Sequence, residues 1–451
     1  MTGLIDIASY VPRTFLSLSA AAQTLGQRGG FGSRSVASFD EDTTTMAVEA
    51  VRRLARIDPH NVDSLWFAST NPAYGIKTNA AAIHAALRME PSTPAFDAGS
   101  SLRSGFGALR AAAGQSGIAV LSDMWSGLPG GEDERCGGDA AVAFHFGDGP
   151  DAIAVIEAWE SLTMELLERW GAPGSDMQSW DDRFGAEALG SNLANFVERL
   201  FSNGADAVVL SSINERSAAV ISARSGKAAI DAPLGIGFAG VADVGLRLIG
   251  ALEKSSEGDK IVILLVGDGV ESLVLRVSKG ISQWQARRTS LKPADKREVS
   301  YADFLSWRGR LSRQTPRRPE PQQPAAPPSF RNVGWKFALC AGRCANCETV
   351  HAPPEPRCRG CGSVDSMDDV SLSDEKGSVV TFTVDNLAYT PAPPLILAVI
   401  DFEIGARASF EVTDIERDEL SIGDKVEMVF RKLNTVGGIH NYFWKVRPIA
   451  R

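Results

Sequence analysis

AGSSLRSGFGALRAAA (98–113) is a loop of small residues that opens directly into an apolar helix. Phe106, Leu109, Ala112 and Ala113 recur at helical spacing, so one face is built for a core. The pattern returns at GFAGVADVGLRLIGALE (237–253). Each copy is followed by a strand-like run, Ile118–Leu121 after the first and KIVILLVGDG (260–269) after the second. DSLWFAS (63–69) and DAVVLSS (206–212) form a matching pair upstream. We read a duplication, with halves of roughly 1–150 and 151–305. The alternative is two similar α/β stretches of separate origin. Alternating strands and helices predict a mostly parallel sheet covered on both faces. Asp42 to Ile57 is expected to be helical, with Asp40 or Asp42 as its cap. Ala140 to Phe146 reads as a further strand.

Composition sets the surroundings of this core. The chain has 451 residues, 44% apolar and 22% charged, with a net charge of −9. That allows two to four domains and argues against wholesale disorder. No run approaches the roughly 18 apolar residues of a membrane span, and the first residues lack the pattern of a secretory signal. The expectation is a soluble cytoplasmic protein with no membrane partner. Residues 311–330 (LSRQTPRRPEPQQPAAPPSF) carry six prolines and are expected to be an extended linker that builds neither helix nor ladder. The resulting division is an α/β domain over 1–308, a linker over 309–334, a cysteine-rich ribbon over 335–368 and a small β domain over 369–451.

Five of the six cysteines lie between Cys340 and Cys361. Cys344-Ala345-Asn346-Cys347 and Cys358-Arg359-Gly360-Cys361 are two C-x-x-C knuckles. Four thiolates on two such loops make a closed tetrahedral set that suits a structural Zn²⁺. A redox pair or an iron centre are the rival readings. Cys340 is expected to be a packing residue and Cys136 a bystander. Beyond the knuckles, residues 378–385, 395–402, 406–413, 425–433 and 441–446 read as five short strands, the number of an OB barrel. Many such barrels bind nucleic acid. Residues 369–451 hold nine Lys+Arg against thirteen Asp+Glu, however, which disfavours a groove that tracks phosphates.

GLIDIASYVPR (3–13), FDEDTTTMAVEA (39–50) and FDAGSSLRSGFGALRAA (96–112) resemble the thiolase superfamily. The nearer branch is 3-hydroxy-3-methylglutaryl-CoA (HMG-CoA) synthase, with ketoacyl synthase III more distant. The resemblance implies a duplicated α-β-α-β-α sandwich. It also implies a nucleophilic cysteine at a buried helix N-terminus, where the helix dipole stabilises a thiolate. A histidine from the second half and, in the synthase branch, a glutamate complete the set. Carried onto this sequence, the nucleophile position falls on Leu102 and the glutamate position on Thr70. The five histidines are His60, His84, His145, His351 and His440, so the second half has none. Gly267-Asp268-Gly269 resembles the glycine turns that border the family's cavity.

GRCANCETVHAPPEPRCRGCGS (342–363), KGSVVTFTVD (376–385), PAPPLILAVIDFE (391–403) and SIGDKVEMVFRKL (421–433) resemble the zinc-ribbon–OB proteins that accompany acyl-CoA thiolases and HMG-CoA synthases. That resemblance implies an auxiliary, non-catalytic subunit of an acyl-CoA thiolase or acyltransferase complex. Such a subunit would pair with a competent thiolase-type partner, form hetero-oligomers and help hold the CoA thioester. The alternative is an enzyme in its own right, making or breaking a carbon–carbon bond of an acyl-CoA without the usual cysteine, for example by a retro-aldol step.

Overall fold

The computed structural model describes residues 2–55, 57–149, 151–172, 175–231, 233, 235–287, 296–416 and 418–449. It divides into two compact units. The first is Met1–Ala37, Ala50–Ala81 and Glu90–Tyr301; the second is Ser38–Glu49, Ala82–Met89 and Ala302–Arg451.

The first unit is built on nine strands: β1 (Thr2–Tyr10), β2 (Leu65–Ala68), β3 (Ala95–Asp97), β4 (Ile118–Met124), β5 (Asp139–Asp148), β6 (Ala154–Thr163), β7 (Ala207–Ser211), β8 (Lys260–Val266) and β9 (Gly269–Val277). Their order is β7-β8-β9-β6-β1-β5-β4-β2-β3. The duplication is written in the ladders. In the first half β2 runs parallel to β4, β4 antiparallel to β5, and β5 antiparallel to β1. In the second, β7 runs parallel to β8, β8 antiparallel to β9, and β9 antiparallel to β6. The halves meet where Gly3 pairs with Val155 and Leu4 with Ala154.

The sheet is therefore mixed rather than mostly parallel. The reason is connection length. Only Gly267 and Asp268 separate β8 from β9, and a two-residue turn closes an antiparallel hairpin, whereas a parallel return needs a long crossover.

The principal helices are α1 (Thr43–Val51), α2 (Leu102–Ala113), α3 (Asp243–Leu252) and α4 (Ala326–Arg331). The two quoted repeats are α2 and α3, and both lie between the half-sheets. Phe106 of α2 packs edge-on against Trp159 of β6, with centroids 6.2 Å apart. On α3, a Cβ at Gly245 would lie 2.7 Å from Val142 and 2.9 Å from Phe144, both on β5. Only glycine lets α3 approach that closely. Both helices join the half-sheets in one buried core, and the unit has the thiolase-like α/β sandwich.

The helix expected over 42–57 stops at Val51, because the Asp6 carboxylate takes the Ala55 N–H at 2.9 Å and the backbone closes in tight turns at Arg53 and Leu54.

The second unit holds a three-stranded ribbon of β10 (Cys340–Cys344), β11 (Val350–His351) and β12 (Met367–Ser371). Its barrel is β13 (Gly377–Asp385), β14 (Leu395–Phe402), β15 (Arg407–Val412), β16 (Lys425–Val436) and β17 (Ile439–Pro448). The barrel closes in the order β13-β14-β15-β17-β16, which leaves no open sheet edge. Its strands alternate inward and outward, and Trp444, Phe410, Phe430 and Val446 fill the interior. The proline-rich segment is irregular over 311–325, as expected, but α4 then forms at its end. Pro327 and Pro328 fall in the first turn, where a missing N–H costs no helical bond.

Candidate functional site

The start of α2 is where the nucleophile position lies. Ser101 caps the helix: its Oγ accepts from Ser104 N and Ser104 Oγ accepts from Ser101 N, each at 3.3 Å. The helix-start amides that could stabilise an anion are thus partly taken up by two serine hydroxyls. Leu102 is the first helical residue. Its isobutyl group is partly buried against the core and faces the hairpin turn, since a Cβ on Gly267 would lie 3.7 Å from its own Cβ. The leucine therefore stands where the family alignment places the nucleophile, beside the glycine turn singled out in the sequence.

The polar groups around it satisfy one another. Arg103 donates to Asp268 O at 2.6 Å, to Thr163 Oγ1 at 2.8 Å and to Ser161 Oγ at 3.0 Å. It also ion-pairs with Glu271, which accepts a 2.7 Å bond from Ser161 Oγ. A guanidinium so occupied is a fixed structural charge rather than a proton carrier.

Thr70, at the family's glutamate position, is half-buried. Its Oγ1 donates to Asp123 at 2.8 Å and its N–H reaches the same carboxylate at 3.2 Å. Ser69 Oγ and Val241 N add bonds of 3.3 and 3.0 Å. Complete burial pushes the Asp123 carboxyl up to about 6, against the lowering effect of these donors. Gly240 makes the pocket possible: its φ is +52° and a Cβ there would sit 2.0 Å from Asp123 Oδ2. Sequence reasoning missed Asp123; a lone aspartate closing the apolar run IAVLSD (118–123) was the available signal. Cys136 is half-buried, and burial together with Asp133 pushes its thiol up to about 12, so it is no ready nucleophile.

The structure brings all four predicted ligand cysteines together. Cys344 ends β10, and the turn that follows carries Cys347. Cys358 and Cys361 lie on a second turn closed by Gly362 N donating to Cys358 O at 3.0 Å. The four Sγ atoms lie within 4.8 Å of one another, with Cys344–Cys361 at 3.7 Å and Cys347–Cys358 at 3.4 Å. A tetrahedron with metal–sulfur bonds of about 2.3 Å separates its sulfurs by about 3.8 Å, so the donor set fits a metal of that size. The outer shell is in place too. Ser363 Oγ lies 3.2 Å from Cys344 Sγ, Thr349 Oγ1 3.2 Å from Cys347 Sγ, and His351 Nε2 3.4 Å from Cys358 Sγ. The Ser363 hydroxyl holds the Cys344 thiol down at about 6, towards the thiolate a metal needs. Cys340 stands apart, buried at the start of β10 with its Sγ 3.9 Å from Ala338 O.

Residues 369–431 match the family described as ChsH2, C-terminal OB-fold domain. A DUF35 domain-containing scaffold protein of Methanocaldococcus jannaschii is 32% identical over 126 residues, covering 27% of this chain and 89% of that protein. Through its carboxy-terminal part, the chain belongs to the DUF35 family. The DUF35 module is here preceded by a region similar to HMG-CoA synthases. The enzyme of Methanosphaera stadtmanae is 24% identical over 346 residues, covering 69% of this chain and 99% of the relative. That of Aeropyrum pernix is 27% identical over 305 residues, covering 62% and 84%. Solved structures agree on the fold. An HMG-CoA synthase complexed with CoA superposes with a TM-score of 0.57 at 15% identity, covering 68% of this chain and 89% of that one. A 3-oxoacyl-[acyl-carrier-protein] synthase III from Aquifex aeolicus gives 0.53 at 17%, covering 61% and 100%. Among the described residues, no helix is long and apolar enough to cross a membrane.

Proposed function

We propose that this chain is a non-catalytic, auxiliary member of an acyl-CoA thiolase or acyltransferase assembly. The observation that carries this reading is Leu102 at the first position of α2, where a thiolate would have to stand. A hydrocarbon side chain can neither be acylated nor move a proton, and the second half supplies no imidazole to assist any other nucleophile. The α/β unit pairs with a competent thiolase-type subunit. Edge strand β3 supports this, since it ends the sheet and leaves Phe96 47% exposed. The DUF35 module helps hold the CoA portion of the substrate. One zinc ion, bound by Cys344, Cys347, Cys358 and Cys361, organises the ribbon without taking part in chemistry. Unpaired clustered thiols suit the reducing cytoplasm. The test is purification of the tagged chain at native expression with mass spectrometry of what accompanies it. A stoichiometric thiolase-type protein with an intact nucleophile is expected; recovery of this chain alone contradicts the reading.

Asp123 favours a second reading. A carboxyl that titrates near 6 beside Thr70 is poised for proton transfer, and a retro-aldol cleavage needs no enzyme thioester. Under that reading, Asp123→Asn abolishes cleavage of a 3-hydroxyacyl-CoA by the purified chain.

A further inference from the structure

The second unit is not contiguous in sequence. Its barrel packs on Ser38–Glu49, the DEDTTT stretch quoted above, and the contact is ionic and dry. Lys445 Nζ lies 3.0 Å from Asp40 Oδ2 and 2.9 Å from Glu411 Oε2. Arg431 Nη2 lies 3.1 Å from both Glu41 Oε1 and Asp414 Oδ2, and its Nε is 3.8 Å from Asp40 Oδ1. Thr413 Oγ1 donates to Asp40 and Tyr442 OH to Asp42, each at 2.8 Å. Lys432 N donates to Asp40 O, and Phe430 N to Glu49 Oε1, each at 2.9 Å. The side chains of Arg431 and Asp40 are 0% exposed and that of Lys445 is 2%. Burial by itself would raise the Asp40 carboxyl and lower the Lys445 ammonium. Lys445 and Arg431 reverse the first effect, and Asp40 and Glu411 reverse the second. Both groups are therefore held ionised.

A core of this size gains little stability from buried charge, because desolvation consumes most of the Coulombic attraction. What such an arrangement supplies is selectivity: a cation left without its carboxylate is strongly penalised. The linker, by contrast, is exposed over 311–320 and contributes no helix or strand there. The similar scaffold protein covers the carboxy-terminal quarter of this chain as a separate polypeptide, with no counterpart of residues 38–49 attached. A tether is thus not required by the module's fold.

We propose that the acidic opening Asp40–Asp42 is a recognition element read by the Arg431–Lys445 seam of the barrel. This contact, and not the linker, holds the DUF35 module on the chain, and the seam is closed to every other polypeptide. A thiolase-type partner must then be engaged elsewhere on the molecule. The inference stands whichever reaction that partner performs.

The experiment uses the full chain with a protease site inserted between Gln314 and Thr315, cleaved under native conditions. The two fragments should co-elute on size exclusion at 0.15 M and at 1 M salt, since buried pairs are screened little. Asp40→Asn alters the amino-terminal fragment alone, leaving the module's own sequence intact. It should raise the fragments' dissociation constant at least about a hundredfold. Should that variant not fold, Glu41→Gln is the milder change, because Arg431 keeps Asp40 and Asp414. A labelled peptide of residues 36–52 should show no binding to the uncleaved chain. Separation of the wild-type fragments on cleavage overturns the proposal. So does an unchanged dissociation constant in both variants, or binding of the peptide to the intact protein.

Discussion

Removing the metal from the ribbon should unfold residues 345–366 while the barrel persists. Along that stretch only His351 and Cys358 are buried, and Cys358 is itself one of the four ligands. A fully buried large apolar side chain contributes about 1.5–3 kcal/mol. Fixing the backbone costs about 1–2 kcal/mol for every residue ordered, so this stretch has no core able to hold it. Zinc binding to a comparable four-ligand site is worth about 10–16 kcal/mol at neutral pH, more than the whole stability of many domains. The barrel is differently placed, with Trp444, Phe410, Phe430 and Met428 buried inside a closed sheet. Hydrogen exchange read by mass spectrometry, with and without a strong chelator, measures both regions in one sample. Chelation should bring peptides from 345–366 to near-unprotected exchange, and Cys347→Ser should do the same without chelator. Peptides from β16 and β17 should keep their protection. Unchanged protection of 345–366 in metal-free protein would refute the reasoning.

Asp123 should titrate near pH 6, as read from its carboxyl carbon by NMR; a midpoint below 4 contradicts the burial argument. Because its pKa is raised on folding, its contribution to stability is present below about pH 4 and is lost as pH rises through 6, by about 3 kcal/mol for a two-unit shift. Asp123→Asn should flatten that slope in urea melts at pH 4 and pH 7. The Asp40–Lys445 contact carries the opposite signs. Asp40 is lowered, so its share is lost only as pH falls below 3.8, and Lys445 is raised, so its share is lost only above 10.5. Co-elution of the cleaved fragments should hold across the whole interval between, and release at pH 6 or 9 would count against it. Phe96→Glu on edge strand β3 should weaken self-association or partner binding in sedimentation velocity, and an unchanged sedimentation coefficient removes β3 as the interface.

The sequence was legible where one residue type has few uses. Two C-x-x-C pairs leave little but a metal knuckle, and all four thiols converge. The strand read over 395–402 is β14 residue for residue, because its ends are punctuated by proline on one side and glycine on the other. The small-residue helix starts at 98–113 and 237–253 exposed the duplication, since few residues permit helices to pass that close to two sheets. Other features depend on partners that periodicity does not reveal. An Asp-Glu-Asp run before an apolar helix looks like an ordinary solvated cap, and nothing local says that Arg431 and Lys445 come to meet it. Asp123 was invisible for the same reason: its environment is assembled from Ser69, Thr70 and Val241, far apart along the chain. Strand direction was misjudged because a two-residue Gly-Asp link was weighed less than the alternation of elements around it.

The most direct test of a non-catalytic role is intact-mass analysis after incubation with acetyl-CoA and longer acyl-CoAs, alone and with the co-purified thiolase-type partner. No acyl adduct should form on this chain, nor on its Leu102→Cys variant, because the second half still lacks an imidazole to move the proton. The partner alone should become acylated, and faster when this chain is present. A stoichiometric adduct on this chain that survives Cys136→Ala would contradict the central claim.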